Sequence, residues 1–344
     1  MHARVVPYRL RFKFPAGTSR GVLHEKETYF LILERNGKRG TGECAVFRGL
    51  SYDDRPEYED FLKDLALKIN RGENIRPEDL REWPSVRFGW ETALLSLESK
   101  RFDILFPSAF TRGEAAIPIN GLIWMGDKEF MRRQIDRKIA EGFRVIKMKI
   151  GALDFDTELE ILAYIRRHYG PEEIELRVDA NGAFSPGEAL EKLRRLADFH
   201  IHSIEQPIKA GQWDAMAEIC ARSPVPVALD EELIRIHHPE EKRRLVRHIR
   251  PAYLILKPSL TGGFSGTDEW IRIAGEENTG YWITSALESN LGLNAIAQYT
   301  YTKNPVLPQG LGTGGLFTNN FPSPLYLDRD RLRFDPDKTL KFDL

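Results

Sequence analysis

The chain has 344 residues, 42% hydrophobic and 29% charged, with 50 Lys and Arg against 51 Asp and Glu. That length allows one large domain or two ordinary ones, and the near-neutral balance lacks the basic footprint of a nucleic-acid binder. No apolar run approaches the ~18–20 residues that span a bilayer. The two cysteines, Cys44 and Cys220, have no metal-type spacing, which predicts reduced thiols in a cytoplasmic protein without a membrane partner.

The N-terminal stretch "MHARVVPYRLRFKF" alternates apolar and basic residues, which predicts a strand rather than a signal peptide. "KETYFLILERNG" and "RGTGECAVF" predict two more strands. "RPEYEDFLKDLALKI" and "SVRFGWETALLSLESK" predict helices. Residues 1–114 thus read as an α+β unit.

From 115 to 314 short apolar runs alternate with charged amphipathic stretches. Segment "SPGEALEKLRRLADF" carries a helix start at Ser185-Pro186. The last polar residue of each run is Asn120, Lys149, Asp179, Glu205, Asp230, Lys257 and Ser285, at gaps of 29, 30, 26, 25, 27 and 28 residues. A strand, a helix and two loops take roughly 25–30 residues, so each gap holds one βα unit. Seven units and a closing strand at "QGLGTGG" predict an α/β fold with a TIM-type barrel, whose active face lies at the loops after the strands. Beyond about 315, "PLYLDRD" and "RLRFDPD" read as strands that pack on the N-terminal unit.

Asp179, Glu205 and Asp230 end three successive runs. Neighbouring strands lie ~4.8 Å apart, so these carboxylates can converge. Three like charges that close repel unless a cation sits among them. All-oxygen ligands favour a hard ion, Mg²⁺ first and Mn²⁺ next. A single acid at a strand end pairs with a local Lys or Arg; three at one period point to a metal. Lys147 and Lys149, in "VIKMKI", share one strand face. Side by side they are expected to depress each other's pKa and free one as a base. Lys257, in "LILKPS", falls on the far side of the acids. Cations on both sides of an ion suit removal of the proton α to the carboxylate of a small-molecule substrate. A barrel that only binds an acidic metabolite has no need of them.

The ordered set formed by "KMK", "VDANGAF", "IEQP", "LDEEL" and "LKPS" resembles the enolase superfamily, specifically its muconate-lactonising subgroup. The resemblance covers nearly the whole chain. It implies a modified (β/α)₇β barrel at 115–314 under an α+β capping domain built from 1–114 and completed by about 315–344. It implies Asp179, Glu205 and Asp230 as metal ligands, Lys149 as base, Lys257 as stabiliser of an enediolate, and Lys147 as the group tuning Lys149. Glu231, as a partner of Lys257, and Asn181 would support these residues. "INGLIWMG", "SALESNLG" and "GLGTGGLFTNN" are similar to a dehydrating branch of the subgroup that acts on a succinyl-bearing cyclohexadiene carboxylate. The subgroup's dipeptide epimerases usually carry Asp-x-Asp on the last barrel strand, where this chain has Gly312-Thr313-Gly314. That departure disfavours a dipeptide substrate and leaves racemisation of N-acyl amino acids as the alternative.

Further candidates for substrate contact are Asn120, Ser285, Gly312 and Thr313 at strand ends. Trp124 is placed either over a substrate ring or in the core. Arg20, in the Gly-containing loop "PAGTSRG", is placed either over the site or in solvent. His237 and His238 precede a charged helix and read as surface residues.

Overall fold

The computed structural model describes residues 1–18 and 21–344, with the backbone alone at 15–18. Arg20 lies outside the described residues.

Strands β1 (His2–Thr18), β2 (Gly21–Arg35) and β3 (Lys38–Cys44) form an antiparallel meander. The β2–β3 link is Asn36-Gly37, with φ of 53° and 74° between the paired residues Arg35 and Lys38. Two consecutive left-handed residues make the turn whose twist matches a hairpin. Side chains alternate across β2. Tyr29, Leu31 and Leu33 pack on helices α1 (Tyr58–Asn70) and α2 (Pro84–Glu98), while Phe30 and Ile32 pack on Phe321, Leu340 and Phe342 from the end of the chain.

Strand β4 (Ala116–Pro118) stands apart from the barrel and pairs with β13 (Arg331–Phe334), which also pairs with β12 (Leu325–Asp328). The late strand pieces therefore hydrogen-bond to the lead-in of the barrel rather than to the N-terminal sheet, and it is the irregular residues around them that reach that sheet. Seven parallel strands follow in sequential order: β5 (Gly121–Ile123), β6 (Val145–Lys149), β7 (Glu175–Asp179), β8 (Ile201–Glu205), β9 (Val227–Leu229), β10 (Tyr253–Leu256) and β11 (Gly280–Ile283). Single parallel bridges, Ile119 to Gln309 and Thr284 to Gly310, join the two ends of this sheet through 309–310. The closing strand is thus reduced to a two-residue seam.

Between strands run α3 (Lys128–Ala140), α4 (Phe155–His168), α5 (Pro186–Ala197), α6 (Trp213–Arg222), α7 (Pro239–Ile249), α8 (Pro258–Thr261), α9 (Gly263–Glu276) and, after β11, α10 (Asn290–Thr302). Asp127 caps α3 by accepting from the Phe130 amide at 2.8 Å. The main core lies between sheet and helices. In β6 the outward residues Ile146 and Met148 are fully buried in it, which turns Lys147 and Lys149 to the barrel interior. His237 is buried, with its ring centroid 4.3 Å from that of Tyr52. This corrects the surface reading of His237: the N-terminal unit covers the loop it stands on. No helix among the described residues is long and apolar enough to cross a membrane.

Candidate active site

Lys149, Asp179 and Glu205 are the last residues of β6, β7 and β8, and they are neighbours in register across the three strands. Asp230 and Lys257 follow β9 and β10 by one residue. The parallel sheet thus carries all five to one end of the barrel. Lys147 Nζ lies 2.5 Å from Glu205 Oε2 and 3.0 Å from Asp179 Oδ2. Lys149 Nζ donates to Asp179 Oδ2 at 3.1 Å and to Asn181 Oδ1 at 2.8 Å. Lys257 donates to Asp230 Oδ2. Asn181, at φ 45°, turns its amide to Glu231 Oε1 at 2.9 Å. Glu231 therefore hydrogen-bonds Asn181, and its charge also raises the pKa of Lys257.

The electrostatics follow from burial and charge. Burial disfavours the Asp179 carboxylate, yet the ammonium groups of Lys147, Lys149 and Lys257 outweigh it and hold the acid below the usual carboxylate range. Burial, reinforced by the charge of Asp179, pushes Glu205 up to about 8. Asp230 is raised, chiefly by burial. Lys147 departs from expectation. Burial pulls it down, but Asp179 and Glu205 overcome this and raise it. The expected depression of Lys147 fails here because its ammonium lies 2.5 Å from Glu205 and 3.0 Å from Asp179.

Among the described residues, no three acid, His or Cys side chains are drawn round a common point as metal ligands would be; the carboxylates are turned to the lysines instead. Glu205 Oε1 and Asp230 Oδ1 are nonetheless buried and meet no hydrogen-bond donor among the described residues. Such orphaned acceptors are costly, and a hard cation satisfies them. The all-oxygen set therefore fits a divalent ion.

A cavity of about 210 Å³ opens over Lys147, Lys149, Asp179, Asn181 and Lys257. Asn120, Trp124, Ser285, Gly312 and Thr313 line it. Asn120 precedes β5 rather than ending a strand, and its Oδ1 meets no partner among the described residues. Ser285 Oγ and Thr313 Oγ1 lie 2.7 Å apart. Trp124 serves both roles considered for it, since it lines the cavity and packs against the cluster of Phe47, Leu287 and Phe317. The sequence reading missed Phe47 and Leu50, which reach the cavity from the loop after β3, and Trp282 and Thr284 inside the barrel. The first pair stands in "VFRGLS", a Gly-containing loop much like the one singled out at Arg20. The second pair lies at alternate positions leading to Ser285.

Residues 130–315 match the enolase C-terminal domain-like family. The chain belongs to that family. Within the enolase superfamily it is 49% identical to an o-succinylbenzoate synthase of Desulfotalea psychrophila over 350 aligned positions, 93% of this chain and 95% of that protein. The crystal structure of MenC from Desulfotalea psychrophila LSv54 superposes with a TM-score of 0.87 at 44% identity, over 97% of this chain and 99% of that one. The L-Ala-D/L-Glu epimerase of Bacillus subtilis has a TM-score of 0.82 at 17% identity, over 97% and 96%. That second likeness speaks for the enolase-type fold alone.

Proposed function

We propose that this chain is an o-succinylbenzoate synthase, removing water from 2-succinyl-6-hydroxy-2,4-cyclohexadiene-1-carboxylate to give 2-succinylbenzoate in menaquinone biosynthesis. The observation that carries the reading is the 49% identity to such a synthase over nearly the full length of both chains. The cluster of lysines and acids in one cavity supports it. We take 1–114 with 315–344 as the cap and 115–314 as the catalytic barrel, working in the cytoplasm.

In this reading Asp179, Glu205 and Asp230 would hold Mg²⁺, with Mn²⁺ as a substitute. A bound Mg²⁺ supplies Lewis acidity and positive charge to the substrate carboxylate. Lys149, once neutral, takes the proton α to that carboxylate. The electron pair of the broken C–H bond is delocalised onto the carboxylate, where the ammonium groups of Lys147 and Lys257 offset the charge. The pair then returns to form the ring double bond as the C–O bond breaks. Lys149 hands its proton to the departing hydroxide, so one base serves both steps of a syn elimination. Asn181, held between Lys149 and Glu231, aims the lysine. Asn120, Trp124, Ser285, Gly312 and Thr313 contact the substrate, and Arg20 is assigned to its succinyl carboxylate.

The test is direct. With Mg²⁺ the purified protein should abolish the diene absorbance of the precursor, and EDTA should stop the reaction. A stable diene signal in both would refute the reading. One observation favours a second reading, racemisation of N-acyl amino acids: lysines stand on both sides of the acids, as two-base chemistry requires.

A further inference from the structure

Loop 284–289 joins β11 to α10 and gives four consecutive residues, Thr284, Ser285, Ala286 and Leu287, to the cavity wall. Leu287 stands in the left-handed region at φ 64°, a conformation unfavourable for a residue with a Cβ, which persists only where its surroundings hold it. The hold comes from two sides. Within the barrel, Glu288 accepts from the Ala286 amide at 2.8 Å and from the Ser259 hydroxyl. From the cap, Glu43 on β3 accepts from the Ser289 hydroxyl at 2.6 Å and from the amides of Ser289 and Gly292 at 3.0 and 3.1 Å. Thr28 on β2 donates to Glu43 at 2.9 Å.

Glu43 and Glu288 are both fully buried, and they crowd the same turn of α10. A Cβ at Gly292 would stand 2.6 Å from Glu43 Oε2 and 2.8 Å from Glu288 Cβ. Two buried acids this close repel unless a cation balances them. Lys26 supplies one. It lies two residues before Thr28 on the same face of β2 and is 5% exposed. Among the described residues its ammonium meets no hydrogen-bond partner; burial lowers its pKa, and the charges of Glu43 and Glu288 work against that. None of the three lines the cavity or enters the chemistry above.

We propose that Lys26, Glu43 and Glu288 are positioning residues, a buried charge cluster reaching from the cap into the barrel that clamps loop 284–289 in the shape completing the substrate cavity. Only the identity of the substrate rests on the synthase reading; the clamp does not. Without the ammonium, two buried acids repel across the boundary and the loop loses its seat. With Glu288 made neutral as well, balance returns. A glutamine there can still accept from Ala286 and donate to Ser259.

Two variants test this, Lys26→Met and Lys26→Met/Glu288→Gln, in the full chain with Mg²⁺. Hydrogen exchange over 284–289 and the KM and kcat for the cyclohexadiene precursor are the readouts. Lys26→Met should speed exchange in that loop at least tenfold and raise KM at least tenfold, with kcat changed less. The double variant should bring exchange and KM back to within about threefold of the parent. Unchanged exchange in Lys26→Met overturns the clamp. If Lys26→Met does not fold, the double variant decides: folded with parent-like exchange it upholds the clamp, and unfolded or fast-exchanging it refutes it. The expected exchange pattern in a protein that never consumes the precursor keeps the clamp and overturns the synthase reading.

Discussion

Lys147 reaches two acids at once, with Nζ 2.5 Å from Glu205 and 3.0 Å from Asp179. A buried ammonium shared in this way neutralises the site while the acids face inward. The two carboxylates also raise its pKa against the pull of burial, which favours the ammonium form. Lys147 is thereby suited to offset charge on the substrate and unsuited to remove a proton. Lys147→Met should lower kcat for the precursor by roughly 10²-fold or more. A kcat within threefold of the parent would remove it from the chemistry.

Glu205→Gln should weaken Mg²⁺ binding measured by calorimetry and reduce turnover to near background. Glu205 Oε1 is a buried acceptor without a donor among the described residues, and an amide in its place carries no charge for the ion. Unchanged Mg²⁺ affinity would mean that the metal site lies elsewhere.

Lys149 and Lys257 should separate by face. A lost base costs roughly 10²–10⁴-fold, and a lost charge stabiliser a similar amount, so rates alone cannot assign the roles. In D₂O with a bound N-succinyl amino acid, Lys257→Ala should keep slow α-proton exchange on the Lys149 face, and Lys149→Ala should lose it. Dehydration by Lys149→Ala but not by Lys257→Ala would reverse base and stabiliser.

Asp53 predicts a pH-dependent stability. It is fully buried, accepts from the Ser85 amide at 2.9 Å and the Ser85 hydroxyl at 2.7 Å at the start of α2, and is pushed up to about 6 by burial. Its reference value is 3.8, so between the two values the folded state holds more protons than the unfolded one. Stability should therefore fall as pH rises through that window, by up to ~3 kcal/mol, and level off above it. Asp53→Asn should flatten this part of the curve in urea denaturation. Equal slopes in the two proteins would show that Asp53 is not the group responsible.

Gly42 marks a close approach of β3 to α2. A Cβ there would stand 1.8 Å from the Gly89 carbonyl oxygen, which is backbone and cannot move aside. Gly42→Ala should destabilise the protein by about 1–3 kcal/mol or more, read as a lower urea midpoint. An unchanged midpoint would mean that the two elements separate freely.

The period of 25–30 residues was legible because each strand buries one face against helices, as Ile146 and Met148 do, while the polar residue at its end faces the mouth. The same alternation turns Lys147 and Lys149 inward. What escaped the sequence depends on contacts between distant segments. Phe47 and Leu50 reach the cavity only because the β1–β3 sheet packs over the barrel, and nothing local records that. The raised pKa of Lys147 depends on acids 32 and 58 positions away in the chain. The pairing of β13 with β4 joins segments more than 200 residues apart, and periodicity carries no information about such partners.

The most direct test of the central claim compares kcat/KM of the Mg²⁺-loaded protein for dehydration of the cyclohexadiene precursor and for racemisation of N-succinyl amino acids. The account predicts that the precursor is consumed to 2-succinylbenzoate with the higher kcat/KM, and that this activity disappears in both Lys149→Ala and Glu205→Gln. Racemisation without any loss of the diene absorbance would contradict it.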